Sequence, residues 1–275
     1  MFHLKHVSEP RLTEVNHSSH FDFDCVLTEL MDKKKEEERR AEERKMKVQK
    51  QREIIRSSAG GVPHISDMRI VLLGSRGQGK SASGNTILGK AKFNTSALTA
   101  ECVKREEDTA GRHITVVEAP GWRESHPLEA TPERVKRGIV LSVSLCPPGP
   151  HALLLVIDMR SSCSFTETHR RVVEEHLELL GDRVWSHTIV LFTFGDWLDA
   201  REVTIEELIE SGGEALQWVV EKCGNRYQVV ENYQLYSYGD PVAELLEKIE
   251  EMVVGNSGNH FDLNKREEKE QSTSF

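Results

Sequence analysis

Apolar positions along this chain fall into two regimes. Before position 67 they are sparse and follow no period. After it, short runs rich in Val and Ile recur at 68–73, 113–118, 152–158, 188–194 and 227–230, each long enough for one strand, with helical patterns between them. Two helix starts carry the Ser/Thr-x-x-Glu spacing in which side chains satisfy each other's free backbone N–H groups, Ser164/Glu167 and Thr204/Glu207, and Gly181 stands where the first of these helices stops. Strands that are apolar throughout are buried on both faces. Alternating with amphipathic helices, they predict an α/β domain over residues 67–255: a doubly wound, mostly parallel sheet with helices on both faces.

The polar regime divides further. Residues 1–28 are polar and His-rich, and His3/His6 and His17/His20 lack the acidic or Cys partners that would complete a metal site, so this stretch is expected to be a disordered tail. Residues 29–56 contain KKKEEERRAEERKMKVQKQRE, where Glu36/Arg40 and Glu43/Lys47 stand four apart in the favourable order. Leu30, Met31, Met46, Val48 and Ile54 are too irregular for a coiled coil, which leaves an exposed charged helix. A Ser/Gly/Pro-rich linker is expected over 57–66, and a second disordered tail over 256–275.

A net charge of −9 and a pI near 5.8 exclude a nucleic-acid backbone as partner, because no basic face is available to release its counterions. The 5 cysteines are widely spaced and include no CxxC pair, so neither a disulfide framework nor a structural zinc site is predicted. The longest apolar run, 152–157, is too short to span a bilayer, and the first residues have neither a signal-peptide core nor a Gly at position 2 for myristoylation. A cytoplasmic protein is expected, at most peripheral to intracellular membranes.

Candidate chemistry sits at the end of the first apolar run. Gly74-Ser75-Arg76-Gly77-Gln78-Gly79-Lys80-Ser81 fits G-x-x-x-x-G-K-[ST], directly after a predicted strand and directly before the helix-like SASGNTIL. In that context the glycines let successive N–H groups, including that of Ala82, point at a phosphate, Lys80 reaches the β- and γ-phosphates, and the Ser81 hydroxyl ligates Mg²⁺. The run 188–194 ends in Thr193-Phe194-Gly195-Asp196. There the Asp196 carboxylate is placed to accept from the N1–H and amino group of guanine, and Thr193 to tether the loop. Gly195 supplies no stem to cover the base, which makes Trp197 a candidate to stack on it.

GSRGQGKSASGNTILGKAKF, the Thr99-x-x-Cys102 pair, EAPGW at 118–122, LCPPGPHALLLVI at 145–157 and RVWSHTIVLFTFGDWL at 183–198 together resemble the immunity-associated GTPases, the GIMAP family of vertebrates. The resemblance implies a Ras-like G domain with extra helical elements, GTP and GDP as ligands, Mg²⁺, and nucleotide-controlled self-association through the G-domain face. By the same resemblance, Gly74, Gly77, Gln78, Gly79, Lys80, Ser81 and Ala82 form the phosphate loop, and Thr99 is the switch threonine on Mg²⁺ and the γ-phosphate, although Thr95 and Thr109 fit that role on spacing alone. Gly121 offers its N–H to the γ-phosphate, Asp196 reads guanine, and Asn232 contacts the base. Lys80, Thr99 and Gly121 are the expected catalytic groups, and Ser81, Thr99 and Glu118 the expected metal ligands.

Two departures stand out. Glu118 replaces the usual Asp of D-x-x-G, one methylene longer, which puts the Mg²⁺ dependence in question. Trp122 occupies the place of a water-orienting Gln, so intrinsic hydrolysis is expected to be slow, with Arg123 or Arg160 as candidates for an arginine lent across a dimer. The reading is a guanine-nucleotide switch with slow or dimerisation-dependent hydrolysis, with switch segments at 91–105 and 122–131. The alternative is a nucleotide-bound scaffold without turnover, and a third is an ATP-using P-loop enzyme.

Overall fold

The computed structural model describes residues 18–58, 62–160, 165–230 and 240–263. Among the described residues, six strands form one sheet in the order β2-β3-β1-β4-β5-β6: β1 (Asp67–Leu73), β2 (Val103–Thr109), β3 (Arg112–Glu118), β4 (Ala152–Asp158), β5 (Thr188–Thr193) and β6 (Tyr227–Val230). All neighbours run parallel except β2 and β3, an antiparallel pair at one edge.

Side chains alternate between the two faces of the sheet. Val71, Leu73, Leu155, Ile157 and Phe192 point to a core closed by α3 (Glu133–Ser144), α4 (Glu167–Leu177), α6 (Ile205–Ser211) and α7 (Glu214–Lys222). Ile70, Leu72, Leu154, Val156 and Leu191 point to a second core under α2 (Lys80–Leu88) and α8 (Pro241–Gly255). Burial on both faces is why these strands read as continuous apolar runs. The doubly wound sheet predicted from them is the observed one.

β2 escaped the apolar pattern. Its sequence, VKREEDT, is polar and it is the edge strand, held to β3 by a backbone ladder from Val103↔Glu118 to Thr109↔Arg112. One apolar neighbour is all an edge strand needs, so period and composition carry little of its signal.

Helix starts show one match and one shift. Thr204 and Glu207 form the expected reciprocal cap of α6. The helix expected from Ser164 begins at Glu167, capped by Thr166, whose backbone N–H and hydroxyl both meet His169 Nδ1. Ser164 lies outside the described residues.

The charged segment behaves differently from the exposed helix its composition suggests. Helix α1 (Ser18–Ser58) is 41 residues long and begins within the stretch expected to be disordered. Its second half lies against α6 and α8 and bridges the two layers flanking β6. Arg44, 8% exposed, donates to Glu210 at 2.6 Å, while Arg52 and Arg56 both pair with Glu251 at 2.7 and 2.6 Å. Glu210 and Glu251 are buried under these guanidiniums, and a buried carboxylate requires such a partner. Beyond α8 the chain returns to the body. Phe261, 1% exposed, donates its N–H to Pro150 O at 2.8 Å and packs edge-on against His187, so part of the expected C-terminal tail is anchored, with Leu263 also packed on the core and no periodic pattern to announce either residue.

Candidate functional site: a phosphate cradle at the strand ends

The loop after β1 curls tightly because glycine occupies each position that demands it. Gly74 (φ 144°), Gly77 (φ 80°) and Gly79 (φ 92°) hold backbone conformations that L side chains rarely adopt. A Cβ on Gly74 would lie 2.7 Å from Val156 O of β4. Gly79 caps α2 in the left-handed region, so the N-terminus of that helix, with its free N–H groups, opens onto the loop.

Lys80 is 5% exposed and donates to Gly74 O at 3.1 Å and Ser75 O at 2.8 Å. Burial pulls its ammonium down to about 8, opposed by nearby Glu118 and assisted by Arg76. Ser81 Oγ donates to Glu118 at 2.9 Å, and Thr99 Oγ1 donates to the same carboxylate at 2.7 Å. The extra methylene of Glu118 therefore brings its carboxylate into direct contact with both hydroxyls. Gly121 stands so close that a Cβ there would lie 2.6 Å from Lys80 Nζ.

These groups converge on a cleft of about 470 Å³, lined by Gly77, Gly79, Lys80, Ser81, Ala82, Thr99, Glu118 and Gly121 among others. Of the two rivals to Thr99, Thr95 lines the cleft without a bond to Glu118, and Thr109 sits at the end of β2 away from it. Gln78 braces the loop from behind: its side chain accepts from Asp158 N and donates to Glu124, and its carbonyl accepts from Thr193 Oγ1 at 3.0 Å. That last bond joins the end of β5 to the glycine-rich loop. Asp196 is exposed at the start of α5 (Asp196–Asp199), beyond the cleft lining, and Asn232 lies outside the described residues.

The structure places three further sets of residues singled out in the sequence. Trp122 is 1% exposed, stacked on His176 with ring centroids 4.7 Å apart, and turned into the core. His176 Nδ1 faces Val172 O, a pure acceptor, so Nδ1 carries the proton, Nε2 accepts from Thr131 Oγ1 at 2.8 Å, and burial lowers the ring's pKa to keep it neutral. Arg160 is engaged with Asp158 at 2.7 Å, whereas Arg123 is exposed. Trp197 packs toward the core with Arg201 over its ring at 4.0 Å, and Phe194 is the aromatic that lines the cleft.

Sequence reasoning also missed Asn85. Its amide donates to Phe93 O and accepts from Lys92 N and Phe93 N, which fixes the loop leading to Thr99. An Asn in mid-helix, where it is a poor helix former, is the signal that marks it.

A phosphate cradle at the carboxyl ends of a parallel sheet, with its helix N-terminus and a hydroxyl–carboxylate cluster beside it, defines the G-domain fold of the P-loop GTPases. Solved structures share it. Toc33 from Arabidopsis thaliana in complex with GDP and Mg²⁺ superposes with a TM-score of 0.51 at 16% identity, covering 72% of this chain and 89% of that one. A structure of the chloroplast translocon components atToc33 and psToc159 superposes at 0.55 and 16%, covering 74% and 86%.

Residues 68–274 match the AIG1 family model, and the chain belongs to that family. Its relatives include immune-associated nucleotide-binding protein 9 of Arabidopsis thaliana, 33% identical over 202 residues, and GTPase IMAP family member 8 of Homo sapiens, 28% identical over 211. The matches cover 70% and 74% of this chain but 57% and 29% of those relatives, so the chain spans about half the length of the first and under a third of the second. The resemblance read from the motifs is borne out.

Proposed function

We propose that this protein is a guanine-nucleotide switch that binds GTP and GDP with Mg²⁺ and hydrolyses GTP slowly unless it self-associates. The observation that carries the reading is the convergence of Ser81, Thr99 and Glu118 beside Lys80 in one cleft. Two hydroxyls and a carboxylate are hard oxygen donors, the set that suits Mg²⁺, and those residues would hold it. Bound there, the ion would supply positive charge to the β- and γ-phosphate oxygens.

The chain's own residues do the remainder. Lys80 exchanges its two loop carbonyls for phosphate oxygens, which restores a full charge to an ammonium that burial has weakened. Thr99 carries its loop toward the γ-phosphate, and Gly121 leaves the space through which Lys80 passes. Asp196 selects the base. Trp122 is locked in the core, and among the described residues no Gln or His lines the cleft, so nothing there orients an attacking water. That observation favours assembly-dependent turnover, with exposed Arg123 as a donor to a second copy, and equally a second reading: a nucleotide-bound scaffold with no turnover. The chloroplast translocon structure is described in the first of these terms, dimerisation being important for GTPase activity. No described helix is long and apolar enough to cross a membrane, and we place the protein in the cytoplasm, peripheral to membranes at most.

A competition titration tests the reading: a fluorescent GDP analogue against GDP, GTP and ATP, with and without Mg²⁺, on the wild type and Asp196→Asn. Guanine nucleotides are expected to compete far better than ATP, and the variant to lose that preference. Equal competition by ATP would sink it. Turnover that rises with protein concentration supports the switch, and none at any concentration supports the scaffold.

A further inference from the structure

Trp122 opens the segment 122–131 and Thr131 closes it, and both meet the same side chain. His176 of α4 is wholly buried, its ring stacked on Trp122 with centroids 4.7 Å apart and its Nε2 accepting from Thr131 Oγ1 at 2.8 Å. Its Nδ1 faces Val172 O at 2.7 Å, which fixes the orientation of the ring. The preceding residue of α4 holds the middle of the segment, because Leu128 donates its N–H to Glu175 at 2.8 Å. Two successive residues of one helix thus grip 122–131 at its start, centre and end.

Trp122 carries this grip onward to the phosphate loop. Its backbone pairs with Ser75, Arg76 N donates to Trp122 O at 2.8 Å, and Arg76 Nε donates to Gly121 O at 3.0 Å. These contacts are all made within the protein, to α4 and to the loop. The stretch 94–101 is built otherwise. Every residue of it except Thr99 is exposed, and among the described residues the hydrogen bond that ties it to another element is the one from Thr99 to Glu118. A segment held at several points by a buried helix face keeps one arrangement. An exposed stretch tied at one point changes with whatever competes for that point.

Resting on the guanine-nucleotide reading, we infer that His176 is a positioning residue for the γ-phosphate contact: through Trp122 it sets the Gly121 peptide, and it keeps 122–131 in one arrangement with GDP and with GTP. Of the two segments expected to switch, only 91–105 then moves with the nucleotide. A partner that distinguishes the two states reads that loop and not 122–131.

Hydrogen exchange on the full chain tests this, with GDP and Mg²⁺ against a non-hydrolysable GTP analogue and Mg²⁺. In the wild type, exchange in 91–105 is expected to slow with the analogue, and exchange in 122–131 to be the same with both. His176→Leu removes the stack and the acceptor, and Thr131→Val removes only the hydroxyl; should thermal melts show His176→Leu unfolded, Thr131→Val carries the test. His176→Leu is expected to speed exchange in 122–131 about tenfold and, since the segment then spends only part of its time in the competent arrangement, to weaken the analogue about fivefold by calorimetry while leaving GDP unchanged. Thr131→Val should do the same to a smaller degree. Equal loss of GDP and analogue in the variants, nucleotide-dependent exchange in 122–131 of the wild type, or unaltered exchange there in the variants overturns the inference while leaving the guanine-nucleotide reading intact. If the wild-type chain binds neither nucleotide, that reading falls first and the inference with it.

Discussion

The phosphate cradle and the docked half of α1 both bury charge, and they neutralise it in opposite ways. Lys80 finds its hydrogen-bond partners within its own loop, Gly74 O and Ser75 O, and the Glu118 carboxylate acts on it only through space. Arg44 reaches Glu210, 166 positions away, and Arg52 reaches Glu251, 199 positions away. Local dipoles compensate a buried charge incompletely, and burial pulls the Lys80 ammonium down to about 8. A charge held by a facing carboxylate is compensated in full and has no further task. On the proposed function, the first arrangement serves a ligand and the second holds the molecule together.

The largest effect should come from breaking the second arrangement. Arg44→Met leaves Glu210 buried without a cation, and denaturant unfolding is expected to report a loss of about 3 kcal/mol, with faster hydrogen exchange in α1. Adding Glu210→Leu should recover most of it. A silent single variant would mean that the pair does not hold α1, and the contrast with the cradle would fail.

Lys80→Met probes the other side. GDP affinity is expected to fall by about a hundredfold by calorimetry, with no loss of thermal stability, because removing an incompletely compensated charge relieves the fold of a burden. Strong destabilisation by this variant would show that Lys80 serves structure rather than ligand.

The pH dependence sharpens the same point. Lys80 titrates near 8 in the folded, nucleotide-free protein and near 10.5 in the unfolded chain, whereas bound phosphate holds its proton on. GDP binding therefore takes up a proton above pH 8, and affinity should fall by about tenfold per pH unit there, while this residue adds stability to the nucleotide-free fold between pH 8 and 10.5. The slope should vanish in Lys80→Met; a flat wild-type profile refutes the depressed ammonium.

The smallest expected effect is that of a local cap. Thr204→Ala removes one partner of the reciprocal cap on α6 and should cost about 1 kcal/mol in denaturant unfolding, with nucleotide binding unchanged. A change in binding would tie α6 to the cleft.

The same division explains what could be read without coordinates. β1, β3, β4, β5 and β6 were legible because burial on both faces writes a run of apolar residues into each, and the cradle was legible because its backbone accepts only glycine at Gly74, Gly77 and Gly79. β2 was not, since an edge strand is specified mainly by its partner's backbone. The partners of Arg44 and Arg52 were not, since nothing distinguishes these arginines from their charged neighbours until α6 and α8 are in place. Phe194 read as the last residue of a strand until the fold laid Arg160 against its ring.

By itself, then, the sequence determined the five apolar strands, the two cores they face and the glycine-rich loop after β1, all features whose physical demands fall on contiguous residues. Only the tertiary structure decided that a charged helix straps the β6 side of the sheet, that Glu118 gathers Ser81 and Thr99, and that Phe194 rather than Trp197 faces the cleft. Those outcomes depend on contacts between residues far apart in the chain, and such contacts leave no spacing for a sequence to show.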